Sequence, residues 1–346
     1  MSISFQYCTR VRNWRVLILL TIAALSVRDQ TIAADAAPGG TLEDYLKKIG
    51  YEPIPFEQTD HAQDFVEGVL NDHRKHRFLV DTGWGMTALS KSAAKGLKSY
   101  DSKHPKQEPA TGADAEMVLM EKVTLDKVQL INQPARVEDL RADYIRLPFD
   151  AVLGCDFFFR NFCLIDCYKR RLYVHRTKPS TEQIKALDET LRLSGFADIP
   201  VDSRFLLTVQ ADINGQPVCL GLDTGAAFDE LDDSQLDSLG LTILRSEQAS
   251  TGSHIADEIG GNVIGVGSIG GHKVKATHPT NFRLGQRQWN NLYFGVTDLK
   301  AWGLAKPGTE GEAVKGLLCQ STLEMHGALI DVAQLKLWLR PEKPTR

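Results

Sequence analysis

Short apolar runs of strand length recur along the chain, and turn residues or polar residues separate them. Two such runs flank Asn214-Gly215, and two more flank Asn71-Asp72. Asn-Gly between apolar runs is a strong hairpin signal, and Asn-Asp is a weaker one. The pattern therefore predicts a mainly β chain in which short strands are joined as hairpins.

This pattern occurs twice along the chain. Residues 46–56 and 191–201 both read Leu, a basic residue, two others, Gly, an aromatic residue, two others, Ile-Pro and an apolar residue, at an offset of 145. Residues 164–166 and 329–331 both read Leu-Ile-Asp at an offset of 165. The offset grows because the second copy carries an insertion, mostly residues 255–275. The repeat predicts two copies of one largely β unit.

Each copy carries the tripeptide Asp-Thr-Gly after an apolar run, at residues 81–83 and 223–225. A single tripeptide of this kind is explained by a turn, since Asp caps and Gly bends the chain. Two of them at matching places in a repeat predict instead that a pseudo-twofold axis brings Asp81 and Asp223 together. Eight residues after each Asp, Leu89 and Leu231 are each expected to open a helix-like stretch.

Two carboxyl groups in contact do not both ionise, and the shared proton defines their chemistry. The aspartic-protease dyad is the standard example of such a pair. One Asp, ionised, activates a water molecule, and the other, protonated, polarises a scissile carbonyl. The two groups titrate as a unit.

At these residues the chain resembles the aspartic protease family of pepsin and the retropepsins. The marks are apolar-apolar-Asp-Thr-Gly, a later apolar-apolar-Gly ending at Gly154, and a closing strand, and the likeness covers roughly residues 50–340. The tandem resembles two retropepsin subunits joined into the bilobal pepsin arrangement. The resemblance implies two β-barrel-like lobes related by a pseudo-twofold, with a substrate cleft between them and a flap hairpin over the cleft.

The resemblance also implies roles for particular residues. The catalytic pair would be Asp81 and Asp223. The residues that would shape the dyad beside them are Thr82, Gly83, Thr224 and Gly225. The residues that could line the cleft or form a flap are Trp84, Thr111, Gly112, Thr251 and Gly252.

Two departures from the family pattern put the activity in question. The residue after the tripeptide is Ala226 in the second copy, which fits the retropepsin form, but it is Trp84 in the first. The bulk of Trp84 would line a substrate pocket or block one. The later Gly is Gly154 in the first copy but Cys319 in the second, where a side chain could shift Asp223.

The N-terminus reads as a cleavable signal peptide. Residues 1–15 contain three Arg and no acidic residue, residues 16–27 are an apolar run of 12, and residues 34–36 read Ala-Asp-Ala. The run is too short to span a bilayer as a helix and matches a signal-peptide core. The alternative is an uncleaved membrane anchor. We therefore expect an exported protein, periplasmic or extracellular, with no stable membrane span after cleavage.

Composition limits the partners. The 42% of hydrophobic and 24% of charged residues are typical of a globular protein, and 40 basic against 44 acidic residues leave a net charge of −4. Without a basic surplus, we expect no nucleic-acid partner. The His residues show no metal-ligand spacing, and residues 265–270 match G-x-G-x-x-G without the context of a dinucleotide site. We expect neither a metal nor an organic cofactor.

The prediction is thus a signal peptide at residues 1–36, a first retropepsin-like lobe at 37–178 and a second at 179–346. The leading function is an aspartic endopeptidase that acts as a monomer on peptide or protein substrates. The alternative from another class is a catalytically silent peptide-binding module with the same fold. A third possibility, an enzyme only as a homodimer, is unnecessary because the tandem holds the partner lobe at high effective concentration.

Overall fold

The computed structural model describes residues 36–37, 40–58, 63–71, 74–100, 116–140, 149–203, 206–226, 228–244, 262–263, 272–273, 275–289, 292–299 and 313–341. Almost all of the predicted signal peptide lies outside these residues. The candidate flap residues Thr111, Gly112, Thr251 and Gly252 and the glycine-rich residues 265–270 also lie outside them.

The first copy consists mainly of strands with two helices. Its strands are β1 (Ala36–Ala37), β2 (Gly40–Thr41), β3 (Glu52–Pro55), β4 (Glu57–Gln58), β5 (Asp64–Val69), β6 (Lys75–Val80), β7 (Ala88–Ser90), β8 (Lys98–Ser99), β9 (Met117–Leu125), β10 (Val128–Glu138), β11 (Ala151–Leu153), β12 (Leu164–Asp166) and β13 (Arg171–Val174). Its helices are α1 (Leu42–Lys48) and α2 (Cys155–Arg160).

The second copy repeats this composition. Its strands are β14 (Ala197–Pro200), β15 (Thr208–Ile213), β16 (Gln216–Asp223), β17 (Glu230–Asp232), β18 (Asn262–Val263), β19 (His272–Lys273), β20 (Lys275–Thr277), β21 (Phe282–Leu284), β22 (Arg287–Trp289), β23 (Phe294–Thr297), β24 (Gly316–Cys319), β25 (Ala328–Asp331) and β26 (Lys336–Leu339). Its helices are α3 (Thr181–Leu193), α4 (Gln320–Met325) and a 3-10 turn (Asp233–Gln235).

The charged join between the copies contains helix α3. Ser180 accepts from the backbone N–H of Gln183, and the Gln183 side chain accepts from the backbone N–H of Ser180. This capping box satisfies donors that the first turn leaves unpaired. The predicted domain boundary after residue 178 lies between β13 and α3 and stays a prediction.

Each copy folds into an eight-stranded sheet with the same central order. The first runs β4-β5-β6-β11-β7-β10-β9-β8, and the second contains β15-β16-β24-β17-β23-β20 in the matching order. In the first copy β5 also pairs with β9, which closes the sheet towards a barrel. The predicted hairpin at Asn214 and Gly215 joins β15 to β16, and both residues have the positive φ that such a tight turn requires.

A third sheet joins the two copies. Its order is β14-β26-β25-β12-β13-β3, so that three strands come from each copy. At its centre β12 pairs with β25 antiparallel, with Ile165 opposite Ile330, Leu164 opposite Asp331 and Asp166 opposite Leu329. Residues 165 and 330 match in the repeat, and so do 164 and 329, and 166 and 331. Exchanging each residue for its match therefore gives the same set of pairs, as a twofold axis requires. The mainly β, bilobal architecture with a pseudo-twofold is therefore confirmed.

The helix-like stretches expected at Leu89 and Leu231 are wrong. Leu89 lies in β7 and Leu231 in β17, and each strand is hydrogen-bonded on both sides. Both side chains are fully buried. A helix at either place would leave two neighbouring strands without partners, so the tertiary context overrides the local pattern.

The acidic residues at the ends of the closing strands have turn roles. Asp166 accepts from the backbone N–H of Lys169 at 3.0 Å, and Asp331 accepts from that of Gln334 at 2.9 Å. Asp166 also forms a buried ion pair with Arg340 of the second copy. These carboxylates stabilise the base of the molecule and take no part in the dyad.

The apolar side chains of both copies form one large core with smaller satellite clusters. The five cysteines of the described chain, Cys155, Cys163, Cys167, Cys219 and Cys319, are buried thiols with no disulfide among them. Within the described ranges, no helix combines the length and the apolar character needed to cross a bilayer. The described residues also contain no cluster of His, Cys, Asp or Glu suited to hold a metal ion.

Candidate active site

Asp81 and Asp223 stand at equivalent points, where β6 and β16 reach the boundary between the lobes. Asp81 Oδ1 accepts from the backbone N–H of Gly83 at 2.8 Å. Asp223 Oδ1 accepts from the backbone N–H groups of Gly225 and Ala226, each at 2.9 Å. In both loops the tight turn after the Asp therefore aims its own N–H groups at the carboxylate.

The structure brings the two carboxyl groups together across the pseudo-twofold. They share a hydrogen bond, and each faces the glycine of the opposite tripeptide. A Cβ atom built on Gly83 would lie 2.3 Å from Asp223 Oδ2, and one on Gly225 would lie 2.4 Å from Asp81 Cγ. Any side chain at either glycine would therefore displace the carboxyl group, which explains the glycine in both tripeptides.

The two threonines lock the loops to one another. The backbone N–H of Thr82 donates to Thr224 Oγ1 at 3.0 Å, and that of Thr224 donates to Thr82 Oγ1 at 3.1 Å. Each hydroxyl then donates to a carbonyl of the opposite lobe, Thr82 to Leu222 at 2.6 Å and Thr224 to Val80 at 2.7 Å. Both side chains are buried, so this reciprocal network holds the Asp loops in fixed relative positions.

Burial dominates the electrostatics of the pair. Burial raises the pKa of Asp81 well above its usual range, and the charge of Asp223 raises it further. Burial also raises the pKa of Asp223, while the hydrogen bonds from Asp81 and from the loop N–H groups lower it. Asp81 is 6% exposed, whereas Asp223 keeps more of its surface accessible. The pair therefore retains one proton well above the pH at which an ordinary Asp loses its own.

The two lobes support these loops differently, at Gly154 and Cys319. A Cβ on Gly154 would lie 2.7 Å from the backbone of both Met86 and Trp84, so this position in the first lobe admits only glycine. In the second lobe Cys319 fits, because its Sγ lies 3.1 Å from Ser321 Oγ and its N–H donates to Asp229 at 2.7 Å. Asp223 still reaches Asp81, so the side chain of Cys319 does not separate the pair.

Trp84 packs within the first lobe. Its partly buried side chain lies against an apolar cluster of Leu79, Ala88, Leu140, Phe149 and Val152. Its backbone carbonyl accepts from the N–H of Cys155 at 2.8 Å, which ties the dyad loop to helix α2. The bulk of the indole is thus accommodated on the apolar side of the loop.

Several polar residues beside the site were not found by sequence reasoning. Gln63 Nε2 donates to the Gly225 carbonyl at 2.9 Å, and Asp64 accepts from the Gln320 side chain. Glu230 is 3% exposed, and burial raises its pKa to about 8. A comparison of the copies could have found them, because their counterparts Leu206, Leu207, Cys155 and Ala88 are apolar or thiol residues.

Comparisons with known proteins find a family model and solved structures that are similar to parts of this chain. Residues 66–157 match the family model described as an aspartyl protease. Among solved structures, an aspartic proteinase from Irpex lacteus aligns with a TM-score of 0.46 and 12% identity, over 85% of this chain and 98% of that one. A retropepsin-like aspartic protease from Rickettsia conorii aligns with a TM-score of 0.24 and 21% identity, over 36% of this chain and 89% of that one. A search of curated proteins finds no match.

The family match confirms the predicted resemblance to aspartic proteases of the pepsin and retropepsin kind. It covers the first Asp-Thr-Gly and the later Gly154. The second tripeptide lies outside the matched residues, and its assignment rests on the repeat and on the geometry around Asp223.

Proposed function

We propose that this protein is an exported aspartic endopeptidase whose catalytic dyad is Asp81 and Asp223, one from each lobe. The observation that carries the proposal is the pair of hydrogen-bonded carboxyl groups inside the reciprocal Thr82 and Thr224 network. Such a pair, with one shared proton and fixed geometry, can act as general base and general acid at once.

The chemistry follows from one proton on two carboxyl groups. The ionised Asp takes a proton from a water molecule, whose oxygen attacks the peptide carbonyl carbon. The protonated Asp donates its proton to the carbonyl oxygen, so the tetrahedral intermediate is neutral. The Asp that took the proton from water then donates it to the leaving nitrogen, and the other Asp takes a proton from a hydroxyl of the intermediate. The C–N bond breaks, the carboxyl product forms, and the dyad returns to its starting state. No step needs a metal or an organic cofactor.

Activity should fall on both sides of a pH range that the pair sets. At low pH both carboxyl groups are protonated and no base remains; at high pH both are ionised and no acid remains. Because burial raises the pKa of Asp81 well above the ordinary value, the alkaline limb should lie well above the range of a solvent-exposed Asp.

The substrate class is a peptide or an unfolded protein, and the working form is a monomer, since both dyad carboxyl groups come from one chain. The N-terminal Arg residues, the apolar run and the Ala-Asp-Ala at residues 34–36 support export to the periplasm or the exterior. The second candidate is a silent peptide-binding module. Trp84 and Cys319 raised it as departures from the family pattern in the sequence, although the structure accommodates both side chains.

The test is hydrolysis of an unfolded polypeptide from acid to neutral pH by the purified protein. We expect cleavage, and we expect Asp81→Asn and Asp223→Asn each to reduce it by at least about 100-fold, the scale of a lost general acid or base. Asp237→Asn changes an exposed carboxyl in the same way and should leave the rate unchanged. Cleavage that survives Asp81→Asn would contradict the mechanism. Peptide binding without cleavage at any pH would favour the binding module.

A further inference from the structure

The pseudo-twofold places two equivalent corners beneath the dyad, and their chemistry differs. At each corner the residues just before a hairpin of one lobe approach the first residue of the short helix of the other lobe. We call the corner formed by Gln63, Asp64 and Gln320 the polar corner. We call its counterpart, formed by Leu206, Leu207 and Cys155, the apolar corner.

The polar corner ties the first lobe to the second by side-chain hydrogen bonds. Gln63 Nε2 donates to the Gly225 carbonyl at 2.9 Å. The adjacent Asp64 is 1% exposed and accepts from Gln320 Nε2. Gln58 reaches both Asp64 and Glu324, at 3.4 and 3.3 Å, one layer further from the dyad. The buried contact of Asp64 therefore fixes the backbone from which Gln63 extends.

The apolar corner has no side-chain donor at the position of Gln63. Leu206 stands in the place of Gln63 and packs with Leu299, Val314 and Leu317. Leu207 stands in the place of Asp64 and is fully buried. Cys155 stands in the place of Gln320, and its thiol donates to the Thr82 carbonyl at 3.1 Å. A leucine at the position of Gln63 offers no hydrogen to the Gly83 carbonyl.

The contact of Gln63 lies on the same peptide group that supports Asp223. The Gly225 carbonyl and the Ala226 N–H belong to one peptide, and that N–H donates to Asp223 Oδ1 at 2.9 Å. A donor on the carbonyl of a peptide polarises it and strengthens the hydrogen bond that its N–H makes. A stronger charge-assisted bond favours the ionised form of the acceptor.

We propose that Gln63 is a positioning residue that sets the polarity of the dyad, so that Asp223 carries the negative charge and Asp81 carries the proton. Asp223 is then the general base that activates water, and Asp81 is the general acid. This assignment rests on the proposed function for its catalytic meaning. Its structural content, the order in which the two carboxyl groups ionise, is independent of activity.

The charged groups around Asp223 do not by themselves make Asp223 ionise before Asp81. Asp81 faces it across the axis, and Glu230 of β17 is close enough to interact with its charge. The thiol of Cys155 lies near both carboxyl groups and is protonated, because burial raises its pKa above the ordinary range. An anionic neighbour on the side of Asp223 would oppose its ionisation, so Gln63 and the loop N–H groups act against that effect.

The kinetic test compares Gln63→Leu, which copies the apolar corner, with Gln58→Leu, which removes a neighbouring polar contact that does not touch the Gly225 peptide. In Gln63→Leu we expect kcat to fall roughly 3- to 10-fold with KM unchanged. The acid limb of the pH profile, which reports the ionisation of Asp223, should move up by roughly half to one unit. The alkaline limb, which reports the later ionisation of Asp81, should stay in place, because Asp223 is an anion both before and after that ionisation. Gln58→Leu should leave both limbs in place. A rate loss with both limbs unmoved would overturn the proposal.

A second readout does not need activity. Asp carboxyl carbons labelled with ¹³C are followed by NMR against pH, and the dyad signals are assigned by their loss in Asp81→Asn and Asp223→Asn. We expect Asp223 to ionise first in the wild type and at higher pH in Gln63→Leu. Earlier ionisation of Asp81, or an unchanged first step in Gln63→Leu, would overturn the proposal. A shifted first step in a protein that cleaves nothing would contradict the proposed protease function and leave the polarity assignment standing.

Discussion

Behind each Asp loop, a hydrogen bond between a hydroxyl and a carboxylate joins the loop to a short helix. The donor and the acceptor change places between the two lobes. In the first lobe Thr87 on the loop donates its N–H and its hydroxyl to Asp156 on helix α2, at 2.6 and 2.7 Å. In the second lobe the equivalent loop position is Asp229, which accepts from Thr322 on helix α4 at 2.5 Å. The repeat therefore preserves a carboxylate–hydroxyl pair between loop and helix, and not the residues that form it.

This exchange accompanies the difference between Gly154 and Cys319. In the first lobe the loop backbone packs directly on Gly154, whereas in the second lobe the N–H of Cys319 donates to Asp229 and its thiol contacts Ser321 Oγ at 3.1 Å. A departure that looked damaging in the sequence is thus compensated by a second departure nearby. The comparison shows that a single position judged against a family pattern is an unreliable guide to whether Asp223 is well placed.

The largest expected effect comes from placing the cysteine of the second lobe at the equivalent position of the first lobe. Gly154→Cys would put a Cβ 2.7 Å from the backbone of Trp84 and Met86, and backbone cannot move aside as a flexible side chain can. We expect a loss of about 3 kcal/mol or more in the free energy of unfolding, measured with urea. The matched change Cys319→Gly should cost only about 1 kcal/mol, for a lost thiol contact and added chain entropy. Equal stability of Gly154→Cys and wild type would show that the two loops are interchangeable.

The next effect tests whether the exchanged pairs are equivalent. Asp229→Ala would leave the Cys319 N–H and the Thr322 hydroxyl without their acceptor, and Asp156→Ala would do the same to Thr87. We expect each variant to lose about 2–3 kcal/mol in the free energy of unfolding, because buried donors become unsatisfied. Denaturant unfolding at neutral pH measures both. A difference of more than about 1 kcal/mol between them would break the equivalence.

A pH-dependent effect separates the polar corner from the apolar one. Burial raises the pKa of Asp64 to about 7, and the charge of Glu324 raises it too, while Arg170 opposes the shift. A raised carboxyl pKa means that the folded state binds the proton more tightly than the unfolded state. Its contribution to stability is therefore present near pH 4 and is lost as the pH rises through 7.

In Asp64→Asn this titration is removed while an oxygen that can accept from Gln320 remains. Between pH 5 and pH 8, we expect the free energy of unfolding to fall by about 2 kcal/mol more in the wild type than in the variant. Urea unfolding at a series of pH values gives the difference. Leu207→Ala, at the apolar corner, should lower stability equally at all these pH values. If the stability of the wild type and of Asp64→Asn changed with pH in parallel, the raised pKa of Asp64 would be contradicted.

The smallest expected effect concerns Trp84, which has Ala226 as its counterpart. Trp84→Ala removes a partly buried ring from the cluster around Leu140 and Phe149, and we expect a loss of about 1 kcal/mol. Trp84→Phe keeps most of this contact and should be nearly neutral. Thermal unfolding measures both variants, and peptide hydrolysis should not increase in either. A marked gain in hydrolysis by Trp84→Ala would mean that the indole obstructs the cleft.

Much of the site could be predicted because it follows from the repeat itself. Two equal tripeptides at matching places, each after an apolar strand, must meet if the copies are related by a twofold axis. The same logic accounts for Ile165 opposite Ile330, since residues at equal offsets pair across that axis. The hairpin at Asn214 was a local signal, and local geometry was enough to predict it.

The contacts of Gln63, Asp64 and Gln320 could not be predicted in this way. Gln320 and Asp64 are 256 positions apart, and their contact depends on which face each strand and helix turns towards the other lobe. The helix predicted at Leu89 was wrong for a related reason, because the strand pairing on both sides of β7 outweighs a helix-like local pattern.

The sequence by itself thus determined the repeat, the mainly β class and the identity of the two paired Asp residues, because periodicity and symmetry are properties of the chain. Only the tertiary structure decided how each Asp is supported, where the side chains of Trp84 and Cys319 lie, and that one corner beneath the dyad is polar and the other apolar. Those features arise where the two copies meet, and there the exact symmetry of the repeat gives way to the packing of different side chains.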